Sequence, residues 1–489
     1  MKRLHDILHN IQAEVRGDAS LNVNRIVFDS RIATDGDLFV AQKGTAHDGH
    51  KYIPEVIAKG CKCILCEIIP ENLPAEVTII KVNDSHEALG IVSANFYDNP
   101  SSKFKLVGVT GTNGKTSVAT LLHKLFLQLG YKAGLLSTVR NLIGEKELTA
   151  THTTPDSVSL NKLLAEMANA GCDYVFMEVS SHAIDQKRIA GLEFDGAIFT
   201  NITHDHLDYH KTFDAYIKAK KQFFDALSKD AFALVNIDDK RGRVMVQNTA
   251  AKVSTYSLHH ISDFKAKVIE SHFDGTLLSI NSNEVWTQLI GQFNSSNLMA
   301  VYGASLLLDQ REAEVLQHLS SLKTVDGRFE YLRSNTGITA IIDYAHTPDA
   351  LKNVLSTINA IRQGGGTLVS VVGAGGNRDK TKRPEMAKIA SNASDKVILT
   401  SDNPRDEEPQ SIIDDMLSGV ETNRRHKVIS IVDRREAIRT ACMLAQPGDI
   451  VLVAGKGHET YQEIKGVRTH FSDKEVVEEV FMLNQINNQ

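Results

Sequence analysis

A lysine and a threonine close a glycine-rich turn in V-G-V-T-G-T-N-G-K-T-S, residues 107–117. Successive backbone N–H groups in such a turn, followed by a helix N-terminus, can hold phosphate oxygens. Lys115 would neutralise the terminal phosphates, and the Thr116 hydroxyl would sit on magnesium. The usual phosphate-loop pattern wants glycine at 109, where this chain has Val109. An ordinary strand-to-helix turn explains the glycines but not Gly-Lys-Thr in register. Further on, D-Y-V-F-M-E-V-S-S-H puts Glu178 at the end of an apolar strand, where such proteins keep a second magnesium contact. Together these residues point to ATP or GTP and Mg2+.

The stretch T-H-D-H-L-D-Y-H, 203–210, offers competing chemistry. His204, His206, Asp208 and His210 approach the H-x-H-x-D-H ligand run of a binuclear metallohydrolase, but Tyr209 stands where the last His belongs. Magnesium takes mainly oxygen ligands, only one or two of them from protein, so a single His beside carboxylates and phosphates is compatible with it. Helix capping by solvated polar residues is the third reading. Three clustered cysteines, Cys61, Cys63 and Cys66 in C-K-C-I-L-C, lack a fourth zinc ligand at motif spacing and read as a buried strand.

These groups must be held by a large α/β framework. At 489 residues the chain has room for about three domains. Hydrophobic residues are 42% and charged residues 23%, ordinary for a globular protein, and the net charge of −6 gives no basic field for nucleic acid. Asp6, His9 and Glu14 interrupt the N-terminal stretch, which lacks the apolar run of a signal peptide, and no stretch is apolar enough to span a bilayer. Five cysteines form no disulfide framework. A cytoplasmic protein without membrane insertion is expected.

Short strands alternate with helices over 1–98, ending in the turn-rich Y-D-N-P-S-S. From 99 to 323, buried-type strands such as KLVGVTG, DYVFMEVS, GAIFTN and FALVN alternate with helices, predicting a mostly parallel sheet covered on both faces. Residues 263–290 carry hairpin signals around Asp274-Gly275. Over 324–489, ITAIIDYA, TLVSVVGA, KVILTS and DIVLVAG predict a second doubly wound, Rossmann-like unit.

The motifs G-T-N-G-K-T, M-E-V-S-S-H, N-I-T-H-D-H-L-D-Y-H, D-G-R-F-E, D-Y-A-H-T-P-D and D-N-P-R follow one another in this order. Across essentially the whole chain this resembles the Mur ligase family, in which G-T-N-G-K-T replaces the standard phosphate loop. The resemblance implies three α/β domains: 1–98 for a uridine nucleotide, a central ATPase at 99–323, and a Rossmann-like domain for an amino acid at 324–489. It implies ATP-dependent amide-bond formation through an acyl phosphate, on UDP-N-acetylmuramoyl-L-alanyl-D-glutamate, by a monomer acting on small molecules.

Residue by residue, the resemblance assigns ATP to Gly111, Thr112, Asn113, Gly114, Lys115, Thr116 and Ser117, with Asn297, Arg328 and His346. Magnesium falls to Thr116, Glu178, His206 and Lys220, the last as a carbamoylated lysine. Bottom-up, Lys220 is one of several lysines on an amphipathic helix, ordinarily a solvated face. The UDP-sugar dipeptide falls to Ser30, His47, Thr153, Thr154, Ser180, Gln186 and Arg188. Ser and Thr near turns are common, so each of these alone could be surface decoration.

The amino acid turns on S-D-N-P-R-D-E-E-P, 401–409. As bare sequence it is a strand-end turn, which leaves Arg405 unexplained. In the family, D-N-P-R marks enzymes that add meso-2,6-diaminopimelate, while those adding L-lysine depart at the arginine. Diaminopimelate carries a second carboxylate at its far end, and a guanidinium grips it with paired hydrogen bonds. Asp402, Asn403, Pro404 and Arg405, with Arg378, Gly455 and Glu459, form the implied pocket, Glu459 facing the distal ammonium. The rivals are an L-lysine-adding homologue, a folylpolyglutamate synthase-like ligase, whose loop typically reads G-T-N-G-K-G-S, and a non-catalytic ATP-binding regulator.

Overall fold

The structure, a computed structural model, describes residues 1–44, 47–148, 154–362 and 365–486. Its central sheet runs parallel through Ala133–Leu136, Tyr174–Glu178, Lys105–Thr110, Gly196–Phe199, Phe232–Asn236 and Lys252–Ser257, side by side in that order. Side chains alternate between faces: Val107, Val109 and Phe176 pack in one core, Leu106, Val175 and Met177 in the other. Burial on both faces is why these strands are apolar throughout. One edge continues antiparallel through Asn141–Ile143 and Lys146–Leu148; at the other Phe264–His272 joins in parallel and turns at Asp274-Gly275 into antiparallel Gly275–Ile280.

The N-terminal sheet has four parallel strands, Arg25–Val27, Asp37–Val40, Cys63–Cys66 and Thr78–Lys81, with Glu14–Arg16 antiparallel at its edge. All three clustered cysteines are buried and free there, as a strand core requires. The C-terminal sheet orders Thr339–Asp343, Ile450–Ala454, Leu368–Ala374, Lys396–Ser401 and Val428–Ser430 in parallel, and Glu330–Arg333 pairs antiparallel at its edge. That antiparallel edge and the small Tyr461–Ile464/Val467–His470 hairpin depart from the doubly wound pattern expected.

Most of the motifs singled out in the central and C-terminal units follow a strand's carboxyl end, the place where open α/β sheets bind ligands, whereas D-G-R-F-E leads into Glu330–Arg333. The glycine turn follows Lys105–Thr110, and D-Y-A-H, G-N-R-D, D-N-P-R and G-K-G-H-E follow four neighbouring C-terminal strands. Hydroxyl caps fix the helices beside them: Thr212 accepts from Ala215 N–H, and Thr347 from Ala350 N–H ahead of Pro348. Among the described residues no helix is long and apolar enough to cross a membrane.

Candidate active site

The carboxyl ends of the central and C-terminal sheets share one cavity of about 1050 Å³. Gly111 and Gly114 turn the chain into it with φ of 151° and 88°. A Cβ on Gly111 would come within 1.9 Å of Thr200 Oγ1, and one on Gly114 within 2.6 Å of Asn297 Oδ1. Val109 is still inside the buried strand, where the chain needs no glycine.

Two lysines converge on the turn. Lys115 Nζ donates to the carbonyls of Gly111 and Thr112 at 3.1 and 2.9 Å, and Lys220 Nζ reaches the same Gly111 carbonyl at 2.8 Å. The solvated-face reading of Lys220 is overturned: it is 1% exposed, with Nζ 4.8 Å from the centre of the Tyr216 ring. Its helix turns this lysine inward, while its neighbour Lys221 pairs with Asp225. Burial, reinforced by Lys115, pulls the Lys220 ammonium well below the ordinary lysine range.

Glu178 Oε1 accepts from Thr138 N–H at 2.8 Å and Oε2 from its hydroxyl at 3.2 Å. His206 caps the short helix Leu207–His210 in left-handed backbone, φ 54°. Burial holds its imidazole below the usual range, helped by Lys115, His182 and Lys220 against the pull of Asp205. A neutral ring is the form that binds metal. The hydrolase run does not assemble: His204 and Asp208 are exposed, and His210 Nε2 meets Ser181 Oγ at 3.0 Å. Among the described residues, no three His, Cys, Asp or Glu side chains are grouped to hold a metal ion.

From the C-terminal side, Arg328 Nη2 donates to Thr116 Oγ1 at 3.2 Å, its guanidinium 4.4 Å from the Tyr344 ring centre. His346 Nδ1 must donate to the Tyr344 carbonyl, 2.9 Å away, and burial lowers its pKa to about 4. Nε2 is therefore left as an acceptor. Asn113 Nδ2 donates to Asp349 Oδ2 at 3.0 Å, tying the turn to the helix Pro348–Ile361.

At the far end Arg405 sits in left-handed backbone, φ 53°, and donates from Nη1 to the Gly376 carbonyl at 2.8 Å. Its own N–H bonds to Glu463 O at 3.0 Å, so the hairpin after G-K-G-H-E clamps the D-N-P-R loop. Arg378, Asp402, Asn403, Gly455 and Glu459 line the same cavity, whereas Pro404 stands behind its wall.

Three family patterns match: the Mur ligase middle domain over residues 109–305, the Mur ligase glutamate ligase domain over 327–457, and the Mur ligase family catalytic domain over 22–97. The UDP-N-acetylmuramoyl-L-alanyl-D-glutamate--2,6-diaminopimelate ligase of Bacteroides thetaiotaomicron is 59% identical over 479 residues, 98% of this chain and 99% of that one. The chain belongs to the Mur ligase family.

A solved UDP-N-acetylmuramoyl-L-alanyl-D-glutamate--2,6-diaminopimelate ligase superposes on this Mur ligase with a TM-score of 0.69 and 30% identity, covering 99% of this chain and 100% of that one. A Mycobacterium tuberculosis folylpolyglutamate synthase, solved with ADP and AMPPCP, shares the fold alone, at 18% identity and TM-score 0.62 over 76% of this chain and 93% of its own.

Around Glu178 the Mur ligase gathers a third set of groups. Thr154 Oγ1 donates to the Glu178 carbonyl at 2.9 Å, and Arg188 Nη1 to the Thr154 carbonyl at 2.8 Å. Thr154, Ser180 and Arg188 line the cavity, while Gln186 stands behind and accepts from Arg188 Nε at 2.9 Å. Thr153 lies outside the described residues. Ser30 and His47 follow the parallel strands Arg25–Val27 and Asp37–Val40, away from this cavity.

Sequence reading passed over Asp205, Asp343 and Lys382. Asp205 and Lys382 face one another across the cavity, and buried Asp343 accepts from Phe329 N–H at 2.7 Å. The signal for Asp205 and Asp343 was their place inside motifs already quoted; Lys382 lies three residues beyond G-N-R-D. As a magnesium site the residues fit: a carboxylate, a hydroxyl and one neutral imidazole leave most positions to phosphate and water oxygens.

Proposed function

We propose that this Mur ligase joins meso-2,6-diaminopimelate to the free carboxylate of UDP-N-acetylmuramoyl-L-alanyl-D-glutamate with ATP, as a step of peptidoglycan precursor synthesis. The single cavity carries the reading, with a phosphate cradle at one end and the Arg405, Arg378 and Glu459 cluster at the other. In this reading 1–98 holds the uridine nucleotide through Ser30 and His47, 99–323 binds ATP, and 324–489 presents the amino acid. The reading extends to a cytoplasmic monomer with only small-molecule partners.

The dipeptide carboxylate, steered by Thr154, Ser180 and Arg188, attacks the γ-phosphorus, and ADP leaves. Two anions approach each other here, so positive charge must be concentrated. Lys115 exchanges its two carbonyl partners for phosphate oxygens, and Arg328 adds a guanidinium from the opposite side. Magnesium on Thr116, Glu178 and His206 would supply further charge neutralisation at phosphate oxygens. The amine of diaminopimelate then attacks the acyl phosphate; nitrogen loses a proton, the amide forms and inorganic phosphate departs.

Lys220 takes part as a carbamate. Its amine, kept neutral by burial, attacks the carbon of CO2 and loses a proton, converting a cation into an anion beside the cradle. The test of the whole reading is phosphate release from ATP with each substrate omitted in turn. Release that needs both the dipeptide and diaminopimelate is expected. Release without the amino acid would support hydrolysis, and none in the complete mixture a regulator.

A further inference from the structure

Lys456, the second residue of G-K-G-H-E, is 0% exposed and stands behind the cavity wall. Its Nζ donates to Glu459 Oε2 at 2.8 Å and to Asn403 Oδ1 at 3.1 Å, and lies 5.3 Å from the centre of the Tyr461 ring. Asn403 Oδ1 also accepts from Glu463 N–H at 3.0 Å, so the amide must turn its Nδ2 to Glu459 Oε2, 2.8 Å away. Both partners thus load one oxygen of Glu459. The other, Oε1, has only the Tyr344 hydroxyl at 3.4 Å among the described residues.

We propose that Lys456 is a positioning residue for amino-acid choice: it locks Glu459 with Oε1 presented to the incoming amino acid. The proposal rests on the diaminopimelate reading above. Without it Glu459 keeps only Asn403 Nδ2 on Oε2 and gains rotamer freedom, so Oε1 is no longer held toward the ligand. The ammonium of lysine, not held by Arg405, can follow the freed carboxylate, whereas the clamped end of diaminopimelate cannot, so the preference narrows.

The test compares Lys456→Met and Lys456→Gln with the unmodified enzyme on meso-diaminopimelate, L-lysine and 2-aminopimelate, which keeps the distal carboxylate but lacks the distal ammonium. For Lys456→Met, KM for diaminopimelate is expected to rise about tenfold or more, with kcat and the KM values for ATP and the UDP-dipeptide little changed. The preference over lysine should fall by a similar factor, while KM for 2-aminopimelate, which does not engage Glu459, stays put. Lys456→Gln keeps one donor to Glu459 and should recover part of the affinity; it also serves if the methionine variant fails to fold. Equal losses on diaminopimelate and 2-aminopimelate, or an unchanged preference, would overturn the proposal. Comparable use of diaminopimelate and lysine by the unmodified enzyme would overturn the reading beneath it.

Discussion

Lys220 shows how burial takes a surface-type residue out of water, which is what the proposed carbamate requires. Among the described residues its amine hydrogen-bonds only to neutral oxygens, Gly111 O and Thr110 Oγ1, and the pull of Asp205 does not offset burial and the nearby Lys115. Lys220→Ala is expected to lower ligation by about 10²-fold or more, the scale of losing one transition-state contact, with thermal stability retained. Short carboxylic acids or bicarbonate should restore part of it, and a fully active alanine variant would remove the role. Asp343 gives a second test. Burial raises its carboxyl to about 6, against Arg328 and the Phe329 N–H. A carboxyl that binds its proton more tightly folded than unfolded costs stability as pH rises from about 4 through 6, by roughly 3 kcal/mol in full. The stability difference between Asp343→Asn and the unmodified protein should therefore grow in favour of the variant across that window. A difference that is flat with pH would contradict it.

At the level of elements, the glycine turn is the part most dependent on backbone geometry. Gly114→Ala places a methyl 2.6 Å from Asn297 Oδ1 in left-handed backbone, φ 88°. The expected cost is about 1–2 kcal/mol, with ATP affinity reduced at least tenfold; titration of an ATP analogue and a melting curve check both. The strand–turn–helix around Lys115 was legible because apolar runs, glycines and helical spacing all agree over 105–130. What sequence could not show was which lysine of A-K-K-Q in the helix Phe213–Asp225 turns inward. Lys456 was hidden for the same reason: a lysine between two glycines looks solvated until Glu459 and Asn403 close over it. The antiparallel edge Glu330–Arg333 escaped because edge strands are short and lack the continuous apolar run of buried ones.

Across the whole molecule, two sheets point their carboxyl ends at each other, so the phosphate cradle and the amino-acid pocket become opposite walls of one chamber. Asn113 to Asp349, Arg328 to Thr116 and the Arg140–Asp326 ion pair at 2.5 Å link the central unit to the segment that begins the C-terminal one. In the proposed reaction, activation and amide formation then share one cavity. A lysine bound in that space would leave Arg405 without its second carboxylate, a loss worth about 10²-fold or more at sites built on hydrogen bonds. The most direct measurement is kcat/KM for meso-diaminopimelate and for L-lysine with ATP and UDP-N-acetylmuramoyl-L-alanyl-D-glutamate, in the unmodified enzyme and in Arg405→Ala. The expected result is a preference for diaminopimelate of about 10²-fold or more that Arg405→Ala largely erases. Comparable values for the two amino acids in the unmodified enzyme would contradict it.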